Sequence, residues 1–280
     1  MHALITSDGL TLHQQAWLPD TPSARGTVLI VHGLGEHIGR YAHVAQALQL
    51  QGWCVRGYDQ RGHGQSQGDR GCIAAPDSLL ADLGQFISQA RKATPAGPLV
   101  LLGHSMGGAV VGRYVAEGLA ATPAPWWQPV DGLVMSSPAL DLGMSAAQKL
   151  LLAGLGPVAP NLAVGNGLKP DWISRDAAVV QAYVADPLVH DRVAPRLVRF
   201  LLAAGELVRQ RAAQWALPTL LLYAGADRCV APRGSDAFAA QAPAAVASCH
   251  RYDGLAHEIF NEPEQAQVLA DLLAWLNQRF

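Results

Sequence analysis

The chain alternates between two kinds of apolar pattern. GTVLIVHG (26–33), GWCVRGYD (52–59), PLVLLGHS (98–105), DGLVMSSP (131–138) and PTLLLYAGAD (218–227) are short continuous runs rich in branched residues that stop at Gly, Ser, Asp or Pro. ASCHRYDG (247–254) is weaker but extended. Runs of this length predict strands buried on both faces, as in a parallel sheet. Between them, YAHVAQALQLQG (41–52), DSLLADLGQFISQARK (77–92) and MGGAVVGRYVAEGLA (106–120) place apolar residues at helical spacing, and PEQAQVLADLLAWLNQRF (263–280) is the clearest helix of all. Strand alternating with helix predicts an α/β architecture with a mostly parallel central sheet and flanking helices. SDGLTLHQQAWLP (7–19) offers an Asp-Gly turn between extended stretches, a hairpin expected to open the sheet. One section breaks the rhythm: 139–213 carries helical patterns and no convincing strand, the signature of a helical cap inserted into a core made of 1–138 and 214–280.

Composition narrows the picture. Half of the 280 residues are apolar, 15% are charged and the net charge is −2. A sizeable core is possible and disorder is not expected. No basic run suggests a nucleic-acid partner. The start MHALITSDGLTLHQQ lacks the basic and apolar regions of a secretory signal. The longest apolar stretch, LLAGLGPVAPNLAV (151–164), is broken by Gly and Pro and falls short of the roughly 20 residues a membrane span needs. Four scattered cysteines, Cys54, Cys72, Cys229 and Cys249, form no CxxC pair, as expected of free thiols in a cytoplasmic protein.

GHSMG (103–107) fits G-x-S-x-G, entered by the strand LVLL and left by the helix GGAVVGRYVAEG. That context is a nucleophile elbow, in which a serine sits on a sharp strand-to-helix turn and the glycines let the two elements approach. Ser105 is therefore the candidate nucleophile. A serine hydroxyl needs an adjacent base, and the base an orienting acid, in the chain order Ser, Asp or Glu, His. Of ten histidines, His190, His250 and His257 follow the serine. His190 lies in the inserted section, and His250 lies within an extended stretch that should fix its side chain in the sheet. His257 lies in the loop between the last strand and the last helix, where a reachable base belongs. Asp227, closing LLLYAGAD, is the acid best placed by position, ahead of Asp236 and Asp253. An oxyanion hole needs two backbone N–H donors. The residue after the nucleophile, Met106, supplies one; the glycine-rich loop HGLGEH (32–37) makes Leu34 the other.

HGLGEH also gathers His32, Glu36 and His37, which invites a metal reading. Its H-x-x-x-E-H spacing is one residue longer than H-x-x-E-H, and it begins at a strand end rather than on a helix. Bracing of the loop by hydrogen bonds is the better expectation, and neither a metal nor a cofactor is required.

Taken in order, HGLGEHIGRY, YDQRGHGQSQGDRG, GHSMGG, GADRCVAP and GLAHEIFNEPE resemble the monoacylglycerol lipase and lysophospholipase group of α/β-hydrolases, over nearly the whole chain. ISRD and DPLVH (173–190) resemble that group's cap. The resemblance implies an α/β-hydrolase fold, Ser105, Asp227 and His257 as nucleophile, acid and base, Leu34 and Met106 as hole donors, and a cap shaping an apolar acyl tunnel. It implies cleavage of monoacylglycerols, lysophospholipids or small acyl esters. A thioesterase or acyltransferase would use the same three residues, and a non-catalytic binder on this fold is the alternative from another class. Dehalogenases and epoxide hydrolases normally carry Asp at the elbow, where this chain has serine. A peptidase would need acids for a peptide's amine; Asp176, Asp186 and Glu206 are available but none is compelling. KLLLAGLGPVAP (149–160) is expected first to pack on the core and line the pocket, and second to touch a membrane surface.

Overall fold

The computed structural model describes residues 3–20, 24–94 and 97–280. In chain order the strands are β1 (Leu4–Ile5), β2 (Thr11–Leu12), β3 (Gln14–Trp17), β4 (Thr27–Val31), β5 (Cys54–Tyr58), β6 (Leu99–His104), β7 (Gly132–Ser136), β8 (Val164–Gly165), β9 (Arg192–Val193), β10 (Thr219–Ala224) and β11 (Ala247–Tyr252). The helices are α1 (Ala42–Leu50), α2 (Ser78–Ala93), α3 (Met106–Glu117), α4 (Ala146–Val158), α5 (Ala177–Ala185), α6 (Pro195–Arg211), α7 (Arg233–Gln241) and α8 (Gln265–Arg279).

Seven strands form the central sheet in the order β11-β10-β7-β6-β4-β5-β3, parallel except for β3, which runs antiparallel to β5. The continuous apolar runs explain this. β4, β6, β7 and β10 are buried along their whole length, and alternate residues serve opposite faces. Leu29, Val31, Leu101, Leu133, Met135 and Leu221 pack with α2, α3 and α6. Val28, Ile30, Val100, Leu102, Val134 and Leu222 pack with α1 and α8. From β4 the chain first winds outward to β5. It then returns to β6 on the other side and continues to β7, β10 and β11. The order therefore reverses between β4 and β6, and a parallel sheet opens a crevice at the carboxyl ends of its strands at such a switch point. The loops carrying residues 32–37, 105, 227 and 257 all leave those ends.

Three local features differ from the sequence pattern. The Asp-Gly turn forms, with Gly9 at φ 86°, but β1 and β2 make a separate two-stranded sheet. At His13 the backbone changes partner: its N–H donates to Ser66 Oγ and its carbonyl accepts from Asp59 N–H. Only the continuation, β3, joins the main sheet. His250 is exposed on the edge strand β11, with a neighbouring strand on one side alone, so the sheet does not fix its side chain. Between β7 and β10, α4, α5 and α6 are joined by the two-residue strands β8 and β9, paired antiparallel. Two residues are too few to leave a periodicity. The pair is set by tertiary bonds such as Ala194 N–H to Gly71 O. Within this stretch α6 buries Leu197, Phe200, Leu201, Ala204 and Val208 and packs along α3.

α4 also departs from the first expectation: Leu150 is 76% exposed, Leu151 61% and Val158 83%. Among the described residues no helix is long and apolar enough to cross a membrane.

Leu102 is fully buried in the middle of the sheet. Leu102→Ala is expected to cost about 3 kcal/mol through lost burial and the cavity left behind. That should lower the thermal midpoint by roughly 6–10 °C; calorimetry showing an unchanged midpoint would contradict this packing.

Candidate active site

The strand-to-helix turn is built around a strained residue. Ser105 has φ 54° and ψ −119°, a conformation that costs a non-glycine residue on the order of 1–3 kcal/mol. Three backbone bonds hold it there: Ser105 N–H donates to Ser136 O at 2.9 Å, and Ser105 O accepts from Ala109 N–H at 3.0 Å and Ala139 N–H at 2.9 Å. Gly103 and Gly107 are required by close approach. A β-carbon at 103 would lie 2.4 Å from Gly107 O, and one at 107 would lie 2.1 Å from Val31 O. α3 therefore presses onto the ends of β4 and β6, and its N-terminus points at the serine.

His257 follows β11 in a loop, and its Nδ1 lies 2.6 Å from Asp227 Oδ2. Both side chains are nearly inaccessible, at 6% and 1%. An ionised carboxylate only accepts, so the proton sits on Nδ1 and Nε2 keeps its lone pair. The other Asp227 oxygen accepts from Cys229 N–H at 2.8 Å and Val230 N–H at 3.0 Å. Burial alone would lower the His257 pKa. The Asp227 charge and hydrogen bond, with Glu258 and Glu36 nearby, overcome that and raise it above the ordinary value.

In the loop after β4, Leu34 N–H has no acceptor within the chain among the described residues. Met106 is the first residue of α3, where N–H groups lie outside the helix ladder. Glu36 braces the loop: Oε1 accepts from Gly33 N–H at 2.6 Å and from the Tyr41 hydroxyl at 2.7 Å, and Oε2 accepts from Arg40 at 2.9 Å. Arg40 also makes a two-pronged contact with Glu258, at 2.6 and 2.7 Å. His32 is committed on both ring nitrogens, to Gly33 O and Gln60 N–H. His37 is likewise committed, to Gly39 N–H and Asp186. The ligand-like cluster of the sequence is thus spent on the loop itself. The residues that best satisfy metal-ligand spacing among those described are Asp227, Cys229 and His257, whose donor atoms lie within 4.8 Å of one another. There the His–Asp bond already uses two donors, and burial, reinforced by Asp227, pushes the Cys229 thiol well up. Arg40 and Glu258 lie in two of the motif stretches, but their pairing across 218 residues, and the Tyr183 ring 4.8 Å from the Arg40 guanidinium, carried no sequence signal.

The segment between β7 and β10 closes over this site. Ile173 O accepts from Glu258 N–H at 2.7 Å, and His190 N–H donates to Gly35 O at 2.8 Å. Glu262, on the His257 loop, accepts from Ser174 Oγ and Arg175 N–H. Two chambers meet at Ser105. One, of about 340 Å³, reaches His257 and sets charged groups, among them Glu36, Lys169, Asp186 and Glu258, in a wall that also includes Leu34, Ile173, Val184 and Val189. The other, of about 430 Å³, is lined by Met106, Leu142, Met144, Trp172, Leu201 and Val230 among others.

A reversing parallel sheet with a strained serine at its crevice defines an α/β-hydrolase, and the relatives make it a carboxylic ester hydrolase. The chain belongs to the Hydrolase_4 family, described as serine aminopeptidase, S33, whose model matches residues 22–264. It is similar to a monoacylglycerol lipase of Mycolicibacterium smegmatis, 36% identical over 98% of this chain and 96% of that one. It is similar also to phospholipase YtpA of Bacillus subtilis, 32% identical over 94% of this chain and 98% of that one. The crystal structure of Paleococcus ferrophilus monoacylglycerol lipase superposes with a TM-score of 0.82 at 31% identity, covering 96% of this chain and 99% of that one.

Other histidines around the site are held neutral. Burial, then the neighbouring His257, lowers His104 to about 3; burial and Arg70 lower His190 to about 4. The unfolded chain therefore binds protons that the folded one refuses between the ordinary value near 6.5 and about 3–4, and stability falls as pH drops through that window. Urea midpoints at pH 7 and pH 5 should show this fall, and His104→Gln should make it smaller; an equal fall in the variant would rule out His104 as a contributor.

Proposed function

We propose that the enzyme hydrolyses monoacylglycerols, lysophospholipids or small acyl esters, with Ser105 as nucleophile, His257 as base, Asp227 as orienting acid and the backbone N–H groups of Leu34 and Met106 as the oxyanion hole. The observation that carries the reading is the strained Ser105 at the start of α3, sharing one cavity wall with a His257 bonded at 2.6 Å to buried Asp227. His257 Nε2 takes the hydroxyl proton as Ser105 Oγ attacks the ester carbonyl. Asp227 holds the tautomer and stabilises the imidazolium that forms. The tetrahedral oxyanion develops between two free backbone donors at a helix N-terminus, where negative charge is favoured. His257 then returns the proton to the departing alcohol, and water, activated in the same way, releases the acid.

The two chambers suggest how substrate divides at Ser105. The acyl chain fits the chamber of Leu142, Met144, Trp172 and Leu201, and the alcohol the one that carries the acids, with residues 139–213 as the cap that α6 anchors to α3. The acids of that chamber also bear on an aminopeptidase reading, which would need a carboxylate with oxygens free to accept from the substrate's amine. One guanidinium, Arg40, is shared by Glu36 and Glu258, whose oxygens also take Gly33 N–H, the Tyr41 hydroxyl and Asn261 Nδ2; those of Asp186 take His37 and Leu188 N–H. A chamber whose carboxylate oxygens are already taken by donors of the chain favours a neutral polyol or headgroup over an ammonium. The exposed leucines of α4 support transient contact of the cap with a lipid surface.

Ser105→Ala should reduce turnover of p-nitrophenyl butyrate by at least about 10³-fold, and a fluorophosphonate probe should label the wild type and not the variant. Retained turnover would defeat the assignment, and a wild type that the probe does not label would favour a binding protein. A C2 to C16 ester panel beside monoacylglycerol, lysophosphatidylcholine and an acyl thioester separates the substrate classes. The base must be neutral to act, and its pKa is raised, so kcat/KM should fall on acidification with a midpoint above that of free histidine. In Asp227→Asn the residual activity should lose that midpoint; a profile identical to wild type would argue against the pair.

A further inference from the structure

A second cavity lies away from Ser105, between the start of α2, the middle of α3, the end of α4 and α6. It encloses about 580 Å³, and the chemistry above makes no use of it. Three arginines line it, Arg113, Arg196 and Arg199, beside apolar wall from Phe200 and Pro157. Arg113 is engaged by Glu117 at 2.7 Å. Arg196 donates to the backbone carbonyls of Ile73 and Ala74, which leaves its charge without a carboxylate. Arg199, one helical turn further along α6, is exposed and has no hydrogen-bond or ion-pair partner among the described residues. Asp77, at the start of α2, is the opposing charge in the lining. Two guanidinium groups not paired with carboxylates therefore face one acid, in a cavity large enough for a phosphoryl group with its glycerol.

α4, which forms one wall, identifies the ligand further. Its outer face presents Leu150, Leu151 and Val158, all more than 60% exposed, with Lys149 exposed beside them. A small soluble anion would neutralise the arginines and leave that face bare. An anionic bilayer lipid answers both: its phosphoryl group pairs with Arg196 and Arg199 while the leucines enter the acyl boundary alongside. We infer that the Arg196–Arg199 cavity is a headgroup site for anionic glycerophospholipid, which makes the enzyme's docking on a bilayer charge-selective. The inference rests on the lipid-surface contact proposed for α4 and is separable from it, because neutral vesicles probe the leucines alone.

The test is co-sedimentation of the full chain with vesicles of phosphatidylcholine, alone or with about one third phosphatidylglycerol. The anionic vesicles should bind at least about tenfold more tightly, and about 0.5 M NaCl should remove the difference. Arg196→Gln and Arg199→Gln should each weaken anionic binding about fivefold. Arg25→Gln, on the opposite face of the sheet beside α8, should leave it unchanged. Hydrolysis of p-nitrophenyl butyrate by Arg199→Gln should match wild type and shows that the variant folds. Equal binding to both vesicle types, or an Arg199→Gln protein that keeps its anionic preference, overturns the headgroup site and leaves the α4 contact standing. Loss of affinity in Arg25→Gln as large as in Arg199→Gln also overturns it, since net charge alone would then explain the effect. Binding to neither vesicle overturns both the site and the contact. Stabilisation of the fold by inorganic phosphate, with no preference for anionic vesicles, replaces the lipid by a soluble anion.

Discussion

One buried guanidinium ties the crevice together. Arg40 lies between Glu36, on the loop after β4, and Glu258, on the loop after β11, with all three side chains at most 11% exposed. Desolvation works against each of these charges; the geometry answers with paired oxygens and further donors. Glu36 takes Gly33 N–H and the Tyr41 hydroxyl, and Glu258 takes Asn261 Nδ2. Removing one member of such a set leaves another buried and unmatched, which typically costs about 3–5 kcal/mol. The two loops so joined carry Leu34 and His257, which line one chamber with Ser105. A parallel sheet provides the crevice, but it does not fix the distance between loops that leave strands β4 and β11, which sit four places apart in the sheet order. Arg40 supplies that constraint, and through its contact with Tyr183 it extends the constraint to α5.

The elbow answers a different constraint by different means. Ser105 is held in a left-handed conformation that its own preferences oppose, and what opposes relaxation is packing. Without side chains at 103 and 107, α3 sits against β4 and β6 so closely that the turn has no room to open. The bonds to Ser136 O and from Ala139 N–H stitch the turn to the end of β7 as well. Strain at the serine is thus balanced by the burial of α3, whose residues from Met106 to Gly112 are all buried. The arrangement is rigid because the core behind it is dense.

Much of this was legible in the sequence, and the parts that were not share a cause. The continuous runs at 27–31, 99–104, 132–136 and 219–224 read as strands because burial on both faces removes the polar alternation and leaves polar residues only at their ends, and the structure places strands there. GHSMG was legible because glycines at those offsets answer a steric demand that is local. HGLGEH was half legible: its glycines pointed to exposed backbone, and the bracing by Glu36 is a contact three residues away in sequence. Arg40 with Glu258, His37 with Asp186 and Glu262 with Arg175 were not legible, since nothing in one chain's pattern says which distant charges will share a buried site. The same holds for β8 and β9, too short to carry a period, and for β1 and β2, where the turn could be read but the strands' partner could not. The exposed face of α4 was misjudged because an apolar helix reads alike whether it faces a core or the outside.

The electrostatics of the crevice bear on the assignment of the base independently of any motif. Burial takes His32, His63, His104 and His190 below their ordinary value, which favours the neutral ring in each. His257 lies among them and is itself buried, yet it alone of these five is raised. The difference lies in the carboxylates: Asp227 at bonding distance, then Glu258 and Glu36; for Glu36, Arg40 outweighs burial with help from its other partners and holds the carboxyl below its ordinary value. A proton released in this crevice is therefore drawn to His257 rather than to His104, whose ring lies 4.8 Å away. Neighbouring imidazoles with pKa values pushed in opposite directions mark which group exchanges protons and which are structural. By that criterion the acids around His257 do two things at once: they tie the loops of the crevice together, and they raise this one histidine of the five, which supports the base proposed above.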